Sequence, residues 1–437
     1  MVYNKFLVVT TFAVTMVALL FVAPRTLRAA SHEKVLHSFQ NATDGCEPQA
    51  GLISDLQGNL YGTTSRGGQL GHGRVFELQR SGKGHWREKV LSDLQGGGSF
   101  PQGGLIFDRA GSLYGMTAVG GDSSCGSGYG CGVVFELSPK SDGGWRETVL
   151  YSFTGNLDGA YPVGDLVSDA AGNLYGATQE GGNSTCGSQS CGTIFKLTRN
   201  GASWTESVIY SFNEATGQAA AGPIVDSAGT LYGTTYNGGG SKNCYQGCGT
   251  VFELKPVDDG WKASIVYSFQ GGGNGYFPQS SLVLDSQGNL YGGLYRGGNG
   301  GGVIFELRRE HGRWQEHLLY NFCTLNNCAD GARPVGLTMD KNGTLYGTTE
   351  DGGEAHCGDN GFGGCGTVFK LARSRADWKE TVLYRFEGGP SDGEYPFAGV
   401  ISDAEGRLYG TTSGGARGNE CTSGNFSGCG TVFELVD

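Results

Sequence analysis

The tripeptide Leu-Tyr-Gly recurs seven times, at Leu60, Leu113, Leu174, Leu231, Leu290, Leu345 and Leu408, with intervals averaging 58 residues. A second block, Val/Ile-Phe-Glu/Lys-Leu, keeps step with it at Val75, Val134, Ile194, Val251, Ile304, Val368 and Val432. A third, of the form Leu-Tyr-Ser-Phe, carries Phe39, Phe153, Phe212, Phe269, Phe322 and Phe386, and is degenerate near Ser92, where Leu94 stands for the phenylalanine. Self-similarity at this period means a repeat architecture, in which each copy is one supersecondary unit.

The third copy shows what the unit is. An apolar run from Gly164 to Ser168 stops at Asp169-Ala-Ala-Gly172, whose Asp and Gly suit the first and fourth positions of a type I turn. A second strand follows at 173–178, then a glycine-rich loop and a third strand at 193–197. The fourth runs from Trp204 to Phe212, with Trp204, Glu206, Val208, Tyr210 and Phe212 alternating onto one face. Four strands per unit at even spacing predict an all-β, seven-bladed β-propeller with four-stranded blades. With 81 glycines and only 11 prolines among 437 residues, the composition fits short strands joined by tight turns.

The two ends of the repeat array predict how the ring closes. The last copy stops at Val432-Phe-Glu-Leu435 without a fourth strand, while Lys34-Val-Leu-His-Ser-Phe39 is a fourth strand without a blade. Pairing the two closes the ring and removes the free sheet edge. Residues 31–437 are therefore read as one propeller domain.

Residues 1–30 are read apart from it. Lys5 precedes an apolar run from Phe6 to Val22 and a small-residue exit at Ala29-Ala30, the pattern of a cleaved secretory signal. The alternative is a retained membrane anchor, since the run could just span a bilayer. Its loss removes Lys5, Arg25 and Arg28 and takes the net charge from −11 to −14. A chain this acidic is repelled by nucleic acid and by anionic lipid.

The blocks Asp-x-x-Gly-Asn-Leu-Tyr-Gly-Thr-Thr, Gly-Thr-Val-Phe-Glu-Leu and Trp-x-Glu-x-Val-Leu-Tyr-Ser-Phe resemble the GloVer tandem-repeat family of bacterial exported proteins. The resemblance covers nearly all of the chain after the leader. It implies an exported repeat protein, in other members often carrying a C-terminal anchor, and no common activity. The chain ends at Leu435-Val-Asp437 without a sorting tail, so release into periplasm or medium is expected. The order Tyr, Gly-Gly, aromatic-acid, Trp is also similar to kelch-type blades, a likeness that carries no function.

Twelve of the 13 cysteines form close pairs: Cys125 and Cys131, Cys186 and Cys191, Cys244 and Cys248, Cys323 and Cys328, Cys357 and Cys365, Cys421 and Cys429. In an exported protein these read as disulfides. Zinc is the rival, but each pair stands alone in its blade without two further ligands, so no metal and no cofactor is expected. Cys46 is left over, as a free thiol, an interchain link or, in the blandest reading, a buried inert residue. Five pairs fall in loops between second and third strands, and Cys323, Cys328 and Cys46 in links between blades. Both kinds of connection lie at the same end of a meander, so all the sulfur is expected on one face.

The links on that face hold the candidate ligand-binding residues Asp44, Asp158, Tyr161, Tyr276, Asp330, Asp392 and Tyr395. Carboxylates and aromatics around one mouth suit a carbohydrate or a cation. The plainer reading is turn chemistry, because Asp-Gly is a turn dipeptide anywhere. Six tryptophans, Trp86, Trp145, Trp204, Trp261, Trp314 and Trp378, all start a fourth strand, which favours packing between blades over sugar stacking. No nucleophile elbow, metalloprotease motif or EF-hand spacing is present, and no catalytic residue can be named. The expectation is a monomeric extracytoplasmic binding or scaffold module for a glycan or an extracellular protein, with a polysaccharide lyase or hydrolase at the channel mouth as the competing reading.

Overall fold

The computed structural model describes residues 32–436, apart from 41–42, 83, 126–127, 184, 187–188, 220, 355–356, 358–361, 376, 417–420 and 422–427. The expected leader at 1–30 and the side chain of Cys186 lie outside the described residues.

Seven antiparallel sheets form the blades of a propeller. Blade 3 has strands Ala160–Ser168, Leu174–Glu180, Thr193–Asn200 and Ser203–Ser211 in order from the axis; in blades 1, 2, 4 and 7 the inner strand is only two residues long. In blade 3 the first three strands are longer than the sequence pattern indicates, because ladder pairing carries them past the patterned residues. Ring closure is as expected. His32–Ser38 pairs antiparallel with Thr431–Val436, with His32 opposite Val436 and Ser38 opposite Thr431, and completes blade 7.

Each fourth strand contains an irregularity that simple alternation missed. In blade 3 Ile194 lies opposite Tyr210 and Phe195 opposite Val208, so Ile209 is an extra residue on the outer strand. Alternation from Trp204 therefore holds only as far as Val208. The register shifts at the same place in the other six blades. A bulge of this kind bends the strand and re-aims the side chains beyond it. The residue so re-aimed is the repeat phenylalanine, and Phe39, Phe153, Phe212, Phe269, Phe322 and Phe386 are all essentially inaccessible to solvent.

These rings build the seams between blades. Each sets its edge against the phenylalanine of the next blade's third strand: Phe39 on Phe76, Phe153 on Phe195, Phe212 on Phe252, Phe269 on Phe305, Phe322 on Phe369 and Phe386 on Phe433, with centroids 5.0–5.4 Å apart. At the seventh seam Leu94 takes the place of a ring and joins the cluster that holds Phe135. Edge-to-face pairs of this kind add about 0.5–1.5 kcal/mol each beyond the area they bury. The glycine of Leu-Tyr-Gly makes room for the receiving ring, since a Cβ on Gly233 would come within 2.4 Å of Phe252 Cζ.

The tryptophans are packing residues. Trp204 meets Tyr114 of the preceding blade edge-on at 6.0 Å, and Trp86, Trp261 and Trp378 meet Tyr409, Tyr175 and Tyr291 in the same way. Those tyrosines are anchored in turn, for example Tyr175 Oη donating to the Asp169 carboxylate at 2.9 Å. Asp169 also accepts from the amides of Ala171 and Asn173, so the Asp-x-x-Gly turn and the seam hold each other in place.

Candidate functional site: the disulfide-bearing face

Six inter-blade links are each clipped to the loop between the second and third strands of the blade they leave. The amide of Tyr161 donates to the Cys131 carbonyl, Phe277 to Cys248, Tyr395 to Cys365, Glu47 to Cys429, Arg333 to Gly301 and Phe100 to His72. Links and loops therefore share one face, as the meander topology requires. All six donors precede a proline and have φ between 55° and 63°. A left-handed conformation is costly for such residues, and it persists where the surroundings over-determine it. Here the fixing elements are the clip on one side and the buried proline on the other.

The six side chains become wedges around the ring. Tyr395 is almost wholly buried and donates its hydroxyl to the Cys357 carbonyl. Phe277 stacks on Tyr236 at 4.4 Å, with Tyr276 edge-on against it. Arg333 lies over the Tyr295 and Phe362 rings and reaches Asp351 at 2.7 Å. Burial, together with the neighbouring Glu350 charge and against the pull of Arg333, pushes Asp351 up to about 7. Tyr161 is half-buried against the seam between blades 2 and 3.

The link aspartates close their own links. Asp158 accepts from Tyr151 Oη at 2.9 Å and from the amide and hydroxyl of Thr154. Asp330, fully buried, accepts from Tyr320 Oη, both groups of Thr324 and the Leu325 amide. Asp392 accepts from Tyr384 Oη and the amides of Glu387 and Gly393. Asp44 accepts from the Gln40 amide and faces His37 Nε2 at 3.6 Å, histidine having replaced tyrosine in this copy. The structure thus distributes the seven candidates over five links, two of which hold two candidates each, Asp158 and Tyr161 in one and Asp392 and Tyr395 in the other.

Behind three of these aspartates stands a glutamate from the outer strand of the next blade. Burial, then the Asp158 charge, pushes Glu206 up to about 7, and burial, then the Asp392 charge, does the same to Glu33. At the closing junction Glu88, also raised by burial, lies with His37 and Asp44 so that their ligand atoms fall within 4.8 Å of one another. Arg74 supplies the counter-charge there, 3.7 Å from Glu88 and bonded to Asp93. Burial acts to raise Asp44 too, but the hydrogen bond and charge of His37 outweigh it and hold Asp44 below the usual range.

Disulfides join Cys125 to Cys131, Cys244 to Cys248, Cys323 to Cys328, Cys357 to Cys365 and Cys421 to Cys429, and Cys191 is bonded as well. Cys46 is buried beside Cys421 and Cys429, in a link as expected. The closed loops expose apolar side chains that the sequence reading did not single out. Tyr245, inside the Cys244–Cys248 loop, is 85% exposed, Tyr129, between Cys125 and Cys131, is 78% exposed, and Leu325, between Cys323 and Cys328, is 50% exposed. The chain neighbours of Tyr245, Cys244 and Gln246, line a cleft of about 820 Å³ whose walls also include Asn183, Asn213, Glu214 and Ser241. The signal was available, since each tyrosine interrupts a small polar loop between paired cysteines.

On the axis, a cavity of about 440 Å³ is lined by residues in and just before the inner strands of the blades, among them Gln49, Gln102 and Gln279. Asp165 stands there in the repeat position that holds Gly51, Gly104 and Gly222 in other copies. Its carboxylate accepts from the Gly104 amide at 2.5 Å and is raised by burial within the channel walls. A copy-by-copy alignment of the repeat exposes this substitution.

The Gloeobacter/Verrucomicrobia repeat matches residues 25–188 and 184–424. No curated protein matches the chain. Among solved structures, a hypothetical selenium-binding protein from Sulfolobus tokodaii is 11% identical, with a TM-score of 0.54 over 84% of this chain and 80% of that one. A fungal alcohol oxidase of the AA5 family in complex with copper is 11% identical, with a TM-score of 0.52 over 93% and 76%. The extracellular domain of a one-component system from B. thetaiotaomicron is 12% identical, with a TM-score of 0.52 over 93% of this chain and 41% of that one. This chain thus spans less than half of that extracellular domain's length. At such identities the likeness is one of fold.

Proposed function

We propose, for a chain that belongs to the Gloeobacter/Verrucomicrobia repeat family, that it is an extracytoplasmic binding module whose disulfide-bearing face takes a glycan. One observation carries the reading: Tyr245 is held out to solvent on a loop closed by Cys244 and Cys248, and its neighbour Gln246 lines a cleft together with Asn183, Asn213, Glu214 and Ser241. A tyrosine ring offers apolar area together with a polar tip, and Asn, Gln and Ser donate and accept toward hydroxyl groups. Closing the loop in advance lowers the ordering cost of binding.

Two further features support it. Short disulfides in loops belong to oxidising compartments. No helix among the described residues is long and apolar enough to cross a membrane. Hydrolysis of a glycan calls for a pair of carboxyl groups flanking the bond. The link aspartates Asp158, Asp330 and Asp392 are engaged within their own links, which favours binding over hydrolysis.

The test is retention of the purified chain on a polysaccharide array, wild type against Tyr245→Ala and Tyr129→Ala. Loss of retention with an unchanged melting temperature is expected. Retention equal to wild type in the double variant rejects this face.

A further inference from the structure

Blade 7 contains a sulfur arrangement found at no other junction among the described residues. The Sγ atoms of Cys46, Cys421 and Cys429 all lie within 4.8 Å of one another, and all three side chains are buried. The Cα atoms of Cys421 are 5.1 Å from Cys429 and 5.8 Å from Cys46, both separations at which a disulfide forms without backbone movement. A sulfur atom makes one disulfide at a time, so Cys421 has two competent partners and the third cysteine is a thiol.

The repeat shows which pairing is the ordinary one. Cys429 occupies the position of Cys131, Cys248 and Cys365, each bonded within its own blade, and Cys421 is its upstream partner. Cys46 is the departure. In the links that end Gly-x-x-Pro, its place is taken by Ser99, Ala160, Tyr276, Ala332 and Glu394. The backbone fixes Cys46 against both neighbours. It exchanges hydrogen bonds with Arg66 of blade 1, while the next residue, Glu47, donates to the Cys429 carbonyl of blade 7.

We propose that Cys46, Cys421 and Cys429 form a thiol–disulfide exchange site, in which one disulfide migrates between Cys421–Cys429 and Cys46–Cys421. The Cys46 thiolate attacks Cys421 Sγ; the Cys46–Cys421 bond forms as the Cys421–Cys429 bond breaks, and Cys429 leaves as the thiolate and takes up the proton that Cys46 released. The count of thiols and disulfides is unchanged, so no oxidant is needed. The two isomers differ in reach. Cys421–Cys429 closes a loop across a separation of 8, whereas Cys46–Cys421 spans 375 and ties the opening link of the propeller to its last blade.

Peptide mapping decides it. Full-length protein, incubated at pH 8, is quenched in acid, denatured in N-ethylmaleimide and digested without reduction. The expected result is one alkylated thiol per chain, divided between Cys46 and Cys429 and never on Cys421, with both cross-linked peptides present. Protein purified directly and protein refolded in a glutathione buffer should converge on one isomer ratio. A thiol found on Cys46 alone, or a ratio that keeps the history of the preparation, overturns the proposal. Cys46→Ser and Cys429→Ser each trap one isomer. The Cys429→Ser form should melt about 2–6 °C higher, because its cross-link closes the longer loop. Two titratable thiols in denatured Cys429→Ser would also overturn it.

Discussion

Gly430 of blade 7 lies against Pro48 at the entrance to blade 1, so close that a Cβ on the glycine would fall 2.5 Å from the proline Cδ. Gly132 and Pro162, Gly249 and Pro278, Gly302 and Pro334, and Gly366 and Pro396 stand in the same relation. The glycine follows the residue whose carbonyl clips the link, and the proline follows the residue that donates to it. The contact is therefore the mechanical joint between one blade and the next.

Gly430→Ala should destabilise by about 2–4 kcal/mol, since the new methyl meets a rigid ring at a backbone φ of 94°. Gly172→Ala is the control. Its φ of 81° is equally left-handed, but nothing lies within 4 Å of the added Cβ, so about 1 kcal/mol is expected. Denaturant melts of the two variants compare them directly, and equal losses would refute the joint.

Phe39→Ala should cost about 3–5 kcal/mol, because it empties the closing seam of a fully buried ring packed on Phe76. Hydrogen exchange should then show the strand His32–Ser38 losing protection ahead of the other outer strands.

Stability should fall as pH rises from 5 to 8. Glu33, Glu206 and Asp351 are held near 7 in the fold, against 4.5 and 3.8 for the free side chains, so the folded chain binds more protons in that window. An excess of bound protons in the native state makes the slope of stability against pH negative. The favourable contribution is complete below the unfolded values and is lost as pH climbs through the folded ones. Thermal melts across this range read the slope, and Glu206→Gln, which keeps the neutral shape, should flatten it and raise the melting temperature at pH 8.

Replacing Cys244 and Cys248 together by serine should cost no more than about 2 kcal/mol, the contribution of closing so short a loop. If Tyr245 contacts the glycan, retention on the array should fall far more than stability does. Parallel melts and array binding separate the two effects.

The architecture was legible because it is written locally and seven times over. The Asp-x-x-Gly turns, the Tyr-Gly and Phe-Glu-Leu pairing and the orphan strand before Phe39 each carry their own geometry. The bulge at Ile209 was not, because an extra residue leaves no mark on an apolar run. The roles of Asp158, Asp330 and Asp392 turned on which hydroxyl reaches them, and Tyr151, Tyr320 and Tyr384 do so from the fourth strand by a turn of the link. The neighbours of Cys46 lie at the far end of the chain, where no spacing rule connects them.

The pairing of His32–Ser38 with Thr431–Val436 sets an order on assembly. A chain made from its N-terminus displays that first strand long before its partner exists, with one edge of the ring open throughout. Blades 1 to 6 can form in turn, but the seventh is completed only once Thr431–Val436 has been made. A truncation anywhere in blade 7 that removes Thr431–Val436 therefore leaves the opening strand without a partner and takes away the ladder that carries Phe39 to Phe76, so the defect falls on the joint at the start of the molecule as much as on the end that was cut.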